Sequence, residues 1–403
     1  MPNHGPLAGV RVIELAHVMA GPVCGLMLAD LGADVIKVEK IPGGDDTRRM
    51  APPKIGAESA AFLMMNRNKR GMAVNLKHDS GKEVLRCLLR KSDVLIENYR
   101  HDTMAKLGLG YETLKQQNPG LIYCEISGFG RSGPFHDQGG FDLIAQGMSG
   151  LMSITGEGPG RPPVKVGAPV TDITAGILGA LGVTAALNER HYSGKGQRVD
   201  TSLFEAGIIH TYWQSAICLA TGVSPGPMGS AHPLNAPYQA LQTADGWINL
   251  GGANQRNWER LVEAIGKPEL ASDPRFHDNH GRMANLKELE AALNQVFRTR
   301  TTDDWLKILN AVGIPVGPVL SVGEMHEHPQ TQARQMVPKV EHPTEGLVKT
   351  LGLPIKLSET PGGVQHAAPL YGQHTRVLME ELGYASTEIV ELHEAEVVFC
   401  APS

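Results

Sequence analysis

Apolar and polar positions alternate on two length scales along residues 1–200. Short apolar runs bounded by glycine, proline, asparagine or aspartate are typical of buried strands, and the longer stretches between them have the period of helices. Strand and helix patterns in alternation predict a parallel sheet with helices on both faces. The predicted strands span residues 10–15, 33–39, 71–76, 93–99 and 121–127.

The longest helix pattern covers residues 171–192. Its most apolar run, 173–187, is rich in glycine and too short to span a bilayer, so a buried helix is expected. Gly176, Gly179 and Gly182 leave one helical face without side chains, and another backbone segment can approach it closely. Shorter helices are predicted at 22–32, 79–91 and 141–151, and residues 199–211 are expected to return to the sheet or pack on it.

The composition changes after residue 220, where prolines and glycines of a linker, 221–237, begin. A hairpin-like stretch at 239–251 and helices at 257–266, 284–299 and 302–312 follow it. The predicted organisation is therefore a large Rossmann-like α/β domain at 1–220, a linker at 221–237 and a smaller α+β domain at 238–325. Residues 326–403, with a final helix at 375–382, are expected to form a second linker and return to the large domain.

Charge and cysteine content narrow the class of protein. The net charge of -5 opposes nucleic-acid binding, which needs a concentrated basic face. The 5 cysteines have no CxxC spacing, and the 16 histidines have no metal-binding pattern. Without a secretory signal or membrane span, the sequence predicts a cytoplasmic protein with reduced thiols, no metal and no membrane contact.

Two sequence features are compatible with a nucleotide site. Gly128-Phe129-Gly130-Arg131-Ser132-Gly133 matches G-x-G-x-x-G, but it follows the fifth strand and no helix opens on it, which disfavours NAD binding. Glu39 ends the second strand beside Lys40. It is either a solvated strand end or part of a crevice that holds a differently phosphorylated adenine nucleotide.

Asp172 stands at the start of the long apolar helix. The local interpretation is a helix cap, since an acid in the first turn satisfies free N–H groups. The functional interpretation is a carboxylate that the helix dipole keeps ionised and aims into a crevice. The Gly251-Gly252 pair also has two interpretations: a simple hairpin turn, or a lid over a reactive intermediate.

The ordered set of motifs resembles the family III CoA-transferases (CaiB/BaiF type), which include formyl-CoA, carnitine and dicarboxylate CoA-transferases. The resemblance covers nearly the whole chain and includes Leu31-Gly32-Ala33-Asp34-Val35-Ile36-Lys37-Val38-Glu39 and Glu97-Asn98-Tyr99. The other similar segments are 6–12, 20–22, 44–48, 66–70, 127–130, 193–197 and 372–375.

The resemblance implies an enzyme that transfers a sulfur-containing group, with Asp172 as nucleophile. Mixed-anhydride and aspartyl-CoA thioester intermediates follow, with acyl-CoA and a carboxylic acid as substrates and no permanently bound cofactor. Backbone N–H groups near His17 to Ala20 are expected to stabilise the oxyanion, and Gly251-Gly252 matches the family's lid. The implied CoA contacts are Val18, Ala20, Lys40, Val74, Lys77, Asn98, Tyr99 and Lys106.

Some positions depart from the family pattern. Met19 stands where formyl-CoA transferase has glutamine, and Lys40 and Lys106 replace arginines, which keeps the charge but loses bidentate geometry. A related 2-methylacyl-CoA racemase would need a histidine where Phe141-Asp142 stands, and phenylalanine cannot carry a proton. A non-catalytic acyl-CoA-binding protein is the third alternative.

The resemblance also implies an interlocked homodimer and favours succinyl-CoA as donor. Arg48, Arg67 and Arg131 are candidates for binding a distal carboxylate, and the sequence does not choose among them.

Overall fold

The computed structural model describes residues 5–402, which form two compact units. The first contains the chain up to Ser149, Val166–His210 and the chain from Pro329 onward. The second contains Gly150–Lys165 and Thr211–His328. The predicted boundaries at 220 and 326 differ from these, because residues 150–165 and 211–220 belong to the second unit.

The strands are short, and most lie in the first unit. They are β1 (Arg11–Glu14), β2 (Asp34–Glu39), β3 (Lys54–Ile55), β4 (Glu58–Ser59), β5 (Lys69–Val74), β6 (Val94–Glu97), β7 (Ile122–Ser127), β8 (Arg198–Ser202), β9 (Tyr238–Gln242), β10 (Trp247–Gly251), β11 (Val316–Pro318), β12 (Lys339–His342), β13 (Gly346–Lys349) and β14 (Val398–Phe399).

The helices range from single turns to one long rod. They are α1 (Ala20–Asp30), α2 (Ala60–Met65), α3 (Asp79–Arg90), α4 (Thr103–Lys106), α5 (Tyr111–Gln117), α6 (Asp142–Met148), α7 (Leu151–Ile154), α8 (Val170–Ser193), α9 (Leu203–Ile209), α10 (Tyr212–Thr221), α11 (Gln255–Ala264), α12 (Glu269–Ser272), α13 (Asn279–Ala284), α14 (Leu286–Phe297), α15 (Thr302–Ala311), α16 (Val322–Glu327), α17 (Pro329–Ala333), α18 (Thr375–Leu382) and α19 (Ser386–Glu394). The single helix predicted at 141–151 is thus two short ones, α6 and α7.

A seven-stranded sheet in the order β14-β5-β2-β1-β6-β7-β8 organises the first unit. β14 pairs antiparallel with β5 and the other neighbours are parallel, so the predicted parallel sheet is confirmed except at this edge. Chain order reverses between β1 and β6, where Val12 pairs with Val35 on one side and Val94 on the other. Doubly wound sheets bind ligands beyond the carboxyl ends of the strands at such a switch point.

Each face of this sheet buries its own apolar cluster. On one side Leu85 and Leu88 of α3 pack with Leu378 of α18. On the other side Leu28 of α1 and Val183 of α8 pack together. Strands buried on both faces need apolar side chains in both directions, which is why they appear in the sequence as continuous apolar runs.

The glycines of α8 lie where other segments come closest. A Cβ at Gly176 would stand 2.6 Å from the carbonyl oxygen of Ala20, and one at Gly182 would stand 2.6 Å from Val199 Cγ1. The bare helical face therefore packs directly on α1 and β8. With 24 residues, α8 is long and apolar enough to cross a membrane by length and composition, although the apolar run predicted at 173–187 was too short to do so. Ala175, Ala180 and Val183 of α8 are buried in the apolar cluster that it shares with α1.

The second unit has a three-stranded antiparallel sheet in the order β11-β10-β9. Trp258 of α11, Leu293 of α14 and Trp305 of α15 form its core with Ile248 of the sheet. This unit contains the hairpin predicted at 239–251, observed as β9 and β10.

Candidate active site

The loops that follow β1 and β6 meet at the switch point of the large sheet. His17 donates its backbone N–H to Asn98 Oδ1 at 2.9 Å, and Asn98 Nδ2 returns a bond to the His17 carbonyl oxygen at 2.8 Å. The phenol of Tyr99 lies 3.3 Å from His17 Nε2. Because the side-chain oxygen and nitrogen of Asn98 both bond to the backbone of His17, Asn98 holds the loop after β1 in position.

A buried network of ion pairs holds the same loop in place. Val18 has φ 66, in the left-handed region that a β-branched residue rarely adopts, and its N–H faces the Asp45 carboxylate at 3.3 Å. Asp45 in turn lies 2.8 Å from the ammonium of Lys37, which is also 2.9 Å from Glu14. Burial disfavours the charged form of Asp45, but the charge of Lys37 outweighs this effect and lowers the pKa of the Asp45 carboxyl. Asp45 therefore stays ionised where it holds the loop.

Asp172 does not cap α8, contrary to the local interpretation of its position. Asp142, the first residue of α6, accepts from the Thr171 backbone N–H at 3.0 Å and from the Thr171 hydroxyl at 2.7 Å. Gln146 donates to the other oxygen of Asp142 at 2.8 Å. Within residues 5–402 no group donates a hydrogen bond to the carboxylate of Asp172.

The electrostatic surroundings of Asp172 differ from the predicted effect of the helix dipole. Burial, assisted by the neighbouring charge of Asp142, raises the pKa of Asp172 from 3.8 to about 6. The carboxylate is still mainly ionised at neutral pH, but it is more basic than an ordinary aspartate. A partly buried, unpartnered and more basic carboxylate is a better nucleophile than a fully hydrated one.

Asp172 lines a cavity of about 150 Å³ at the carboxyl ends of the strands. Binding sites for whole cofactors are usually several hundred Å³, so this cavity has room for the reacting end of a substrate rather than for coenzyme A. Its walls come from the loops after β6 and β7 and from the starts of α1, α6, α8 and α9. Among the lining residues are Ala20, Asn98, Tyr99, Arg100, His101, Ser127, Gly128, Arg131, Phe141 and Leu203.

Phe141 is the residue on which the racemase alternative depends. Its ring is 76% exposed and lines the cavity together with Asp172. It has no proton to exchange, so it cannot act as the second acid–base group there. His101 also lines this cavity, next to Asp102 at 3.0 Å, and the sequence arguments did not identify it.

The N-terminus of α1 provides free donors beside the cavity. The N–H groups of His17 and Val18 are occupied by Asn98 and Asp45, so two of the four residues predicted to stabilise an oxyanion cannot do so. Among residues 5–402 nothing accepts from the N–H groups of Ala20 and Gly21, and Met19 makes no side-chain cap. Helix N-termini stabilise negative charge, and of these two residues Ala20 lines the cavity. A role in stabilising an oxyanion stays a prediction.

The residues predicted to contact CoA are only partly brought together. Ala20, Asn98 and Tyr99 line the Asp172 cavity, and Val18 lies in the adjoining loop. The predicted lysines, Lys40, Lys77 and Lys106, are exposed, and Lys40 pairs with Asp46 at 2.8 Å. Val74 is 1% exposed within the core, so its side chain is not available to a ligand. A contact of CoA with its backbone stays a prediction.

Glu39 is neither solvated nor free to bind a ribose. Its two carboxylate oxygens accept from Arg48 at 2.7 Å each, and Asp45 donates its N–H to the same group. Arg67 is likewise buried against Asp30. Two of the three arginines proposed for a distal carboxylate are thus neutralised inside the fold and do not line the cavity.

The predicted nucleotide motif serves packing instead. Gly128 lies in the loop after β7, and a Cβ on it would stand 2.6 Å from the backbone nitrogen of Gly140. The two glycines allow two loops to approach closely at the rim of the Asp172 cavity. No helix starts at residue 133, so the pattern is not a dinucleotide turn.

Gly251 and Gly252 lie in the second unit. Gly251 ends β10 and donates to Pro315, and Gly252 is buried and donates to Pro237 at 3.0 Å. The pair is a fixed strand end here, so a lid function for it stays a prediction. Across the described residues 5–402, no group of three His, Cys, Asp or Glu side chains is arranged to hold a metal ion.

Three comparisons with known proteins agree with this geometry. A family model described as CoA-transferase family III matches residues 7–375. The chain is 40% identical over 389 residues to a succinate–glutarate CoA-transferase of Agrobacterium fabrum, covering 95% of this chain and 97% of that protein. It is 36% identical over 399 residues to a succinyl-CoA:glutarate CoA-transferase of Homo sapiens, covering 99% and 91%. A crystal structure of a CaiB/BaiF family protein from Brucella suis superposes with a TM-score of 0.85 at 39% identity, covering 94% of this chain and 100% of that one.

Proposed function

The chain belongs to CoA-transferase family III, and from this membership we propose that Asp172 carries CoA between carboxylic acids as a covalent intermediate. The family assignment that the motifs implied is confirmed, and the substrates are accordingly a CoA thioester and a carboxylic acid. The roles of individual residues and the identity of the acids are the proposal.

The observation that supports Asp172 is the division of tasks between two acids. Asp142 satisfies the end of α8, so Asp172 is left without a partner in a small, half-buried cavity. An aspartate with a purely structural role in the first turn of a helix would accept one of the free N–H groups there, and Asp172 accepts none within residues 5–402. The partnerless carboxylate, with its raised pKa, is what a nucleophile requires.

In the proposed reaction the Asp172 carboxylate attacks the thioester carbonyl carbon of the donor. The C–S bond breaks, CoA leaves as thiolate, and a mixed anhydride remains on Asp172. The thiolate then attacks the aspartyl carbonyl, the donor acid leaves as carboxylate, and an aspartyl-CoA thioester forms. The acceptor carboxylate reverses these steps. No net proton or electron is required, and one difficult exchange is divided into easier ones.

Two elements of the structure assist the charge changes. Each tetrahedral intermediate develops an oxyanion, and Ala20, whose N–H group is free, lines the cavity. Water must be excluded from the anhydride. Phe141 supplies apolar surface at the cavity, Met19 of the adjoining loop is proposed to add to it, and Gly251-Gly252 is proposed as the lid. Val18, Asn98 and Tyr99, with Lys40, Lys77 and Lys106 outside, are proposed to bind CoA, with no other cofactor.

The proposed donor is succinyl-CoA and the acceptor a small dicarboxylic acid. Relatives at 40% and 36% identity are named for succinate and glutarate, and both acids carry a second carboxylate. A panel of acids offered with succinyl-CoA and read by mass spectrometry identifies the preferred acceptor.

We also propose the interlocked homodimer and a cytoplasmic location. Large apolar side chains are more than half exposed in both units of the single chain, and a second copy would cover them; they are Phe141, Leu181, Tyr192, Tyr212, Trp213 and Leu219. A monomeric mass by light scattering at micromolar concentration would contradict the dimer.

Trapping tests the mechanism. Hydroxylamine added during turnover converts an acyl- or thioester-bound aspartate to a hydroxamate, and peptide mass spectrometry should find that mark on Asp172 only when donor is present. Asp172→Asn should lose transfer by at least about 1,000-fold while remaining folded. Asp137→Asn, an exposed aspartate of the same unit, is the control. Full transfer activity in Asp172→Asn contradicts the proposal.

A further inference from the structure

Arg131 occupies an unusual position next to the proposed nucleophile. Its side chain is only 6% exposed, yet it lines the cavity that contains Asp172 and also a second cavity of about 310 Å³. A buried guanidinium is costly unless charges and hydrogen bonds compensate it. The partners of Arg131 therefore indicate which of its donors remain available.

The fold holds two sides of this guanidinium and leaves one free. Nη2 donates to Glu97 Oε1 at 3.1 Å and to the carbonyl oxygen of Tyr99 at 2.9 Å. Nε lies 3.2 Å from Glu125 Oε1. Among residues 5–402, nothing accepts from Nη1. Nε is close to Glu125 but makes no hydrogen bond with it. The side chain is thus oriented by Nη2, while the N–H groups of Nη1 are unused.

The surrounding charges do not neutralise the cation fully. Glu125 is shared between Arg131 and Arg198. Burial raises the pKa of Glu97, and the nearby charge of Glu125 raises it further against the opposing effect of Arg131. Because this shift favours the uncharged form of Glu97, the two carboxyls offset the two arginines, Arg131 and Arg198, only in part. That balance favours a second anion.

Resting on the proposed function, we infer that Arg131 binds the distal carboxylate of a dicarboxylic acid whose other carboxylate reacts at Asp172. Arg48 and Arg67, the other two arginines considered, are neutralised elsewhere in the fold. Planar guanidinium groups bind carboxylates in this way with defined geometry. Arg131 is thus a specificity-determining residue: it distinguishes dicarboxylic from monocarboxylic acids and takes no part in bond making.

The test compares two acceptors of equal length, glutarate and pentanoate, in which a methyl group replaces the distal carboxylate. Acetyl-CoA is the donor, so that only the acceptor needs the arginine. Arg131→Gln should lower kcat/KM for glutarate about 10- to 100-fold, the loss expected for charge-assisted hydrogen bonds, and change pentanoate less than about twofold. Arg90→Gln, on the exposed surface of α3, is the control with unchanged values.

Two further variants keep the test decisive. Glu97→Gln/Arg131→Gln removes the ion pair as a unit if the single variant fails to fold. Glutarate binding by calorimetry in Asp172→Asn, with and without Arg131→Gln, gives an affinity without turnover. An equal fall for both acids, unchanged glutarate binding, or a selective loss in Arg100→Gln instead overturns the inference. Failure of the nucleophile proposal would appear separately, as retained activity in Asp172→Asn.

Discussion

The raised pKa of Asp172 has a cost that can be measured as stability. In the folded chain its pKa is about 6, whereas an exposed aspartate has 3.8. A carboxyl with a higher pKa in the folded state contributes stability below the lower value and loses it as pH rises through the higher one. At about 1.4 kcal/mol per unit of pKa difference, burial of Asp172 lowers the free energy of unfolding by about 3 kcal/mol at pH 8 and by about half of that at pH 5.

Asp172→Asn removes the charge but keeps the shape, and it should therefore stabilise the chain. The expected gain in free energy of unfolding is about 3 kcal/mol at pH 8 and about 1.5 kcal/mol at pH 5. Urea denaturation of the wild type and the variant at both pH values measures it, since groups common to the two proteins cancel in the difference. Asp137→Asn removes an exposed charge and should change stability by less than about 0.5 kcal/mol.

The pH dependence of the gain is the decisive part. A general effect of charge removal would appear in Asp137→Asn as well. If Asp172→Asn is destabilised at pH 8, or if its gain is the same at both pH values, then the carboxylate is not strained by burial. The argument that leaves it unpartnered would then be wrong.

Three other outcomes follow from the structure. Because the Asp172 carboxylate must be ionised to attack, kcat/KM should fall about tenfold per pH unit below about pH 6 and level off above it, as measured with a donor whose own ionisation is constant. Gly176→Ala should destabilise the fold by about 1–3 kcal/mol in urea denaturation, since its Cβ would collide with the backbone of α1, whereas Gly167→Ala meets nothing within 4 Å and should be neutral. Asn98→Ala leaves the N–H and C=O of His17 unpaired and should lower the free energy of unfolding by about 1–3 kcal/mol. It should also lower kcat more than it changes the KM for the acid. An unchanged kcat would show that Asn98 does not position the loop.

Local patterns sufficed for the elements that carry strong periodicity. The strands of the parallel sheet and the long helix α8 were predictable, because continuous apolar runs and a terminal glycine at 194 are local signals. The edge strand β14 has only two residues, and no alternation is visible over that length. Its pairing with β5 depends on a contact between distant parts of the chain.

The site was predictable to the same extent. Asp172 could be identified from the family motifs, but its chemical state could not, because the cap is supplied by Asp142 from another helix, far along the chain. The same applies to Val74, whose burial depends on strands that meet only in the fold. The sequence named Arg131 among three arginines but not His101. Both residues follow the carboxyl ends of strands, β7 and β6, so the rule that ligands bind there could have singled out Arg131 and identified His101.

Two acids have separate roles at the start of α8: Asp142 holds the helix end, and Asp172 is the proposed nucleophile. Because Asp142 holds α8, replacing one carboxylate oxygen of Asp172 with an amide nitrogen should leave the helix end and the cavity wall intact. Asp172→Asn is therefore suited to capturing an intact donor acyl-CoA in a crystal. Such a complex would show the thioester before its C–S bond breaks, a state that the active enzyme consumes too quickly to reveal.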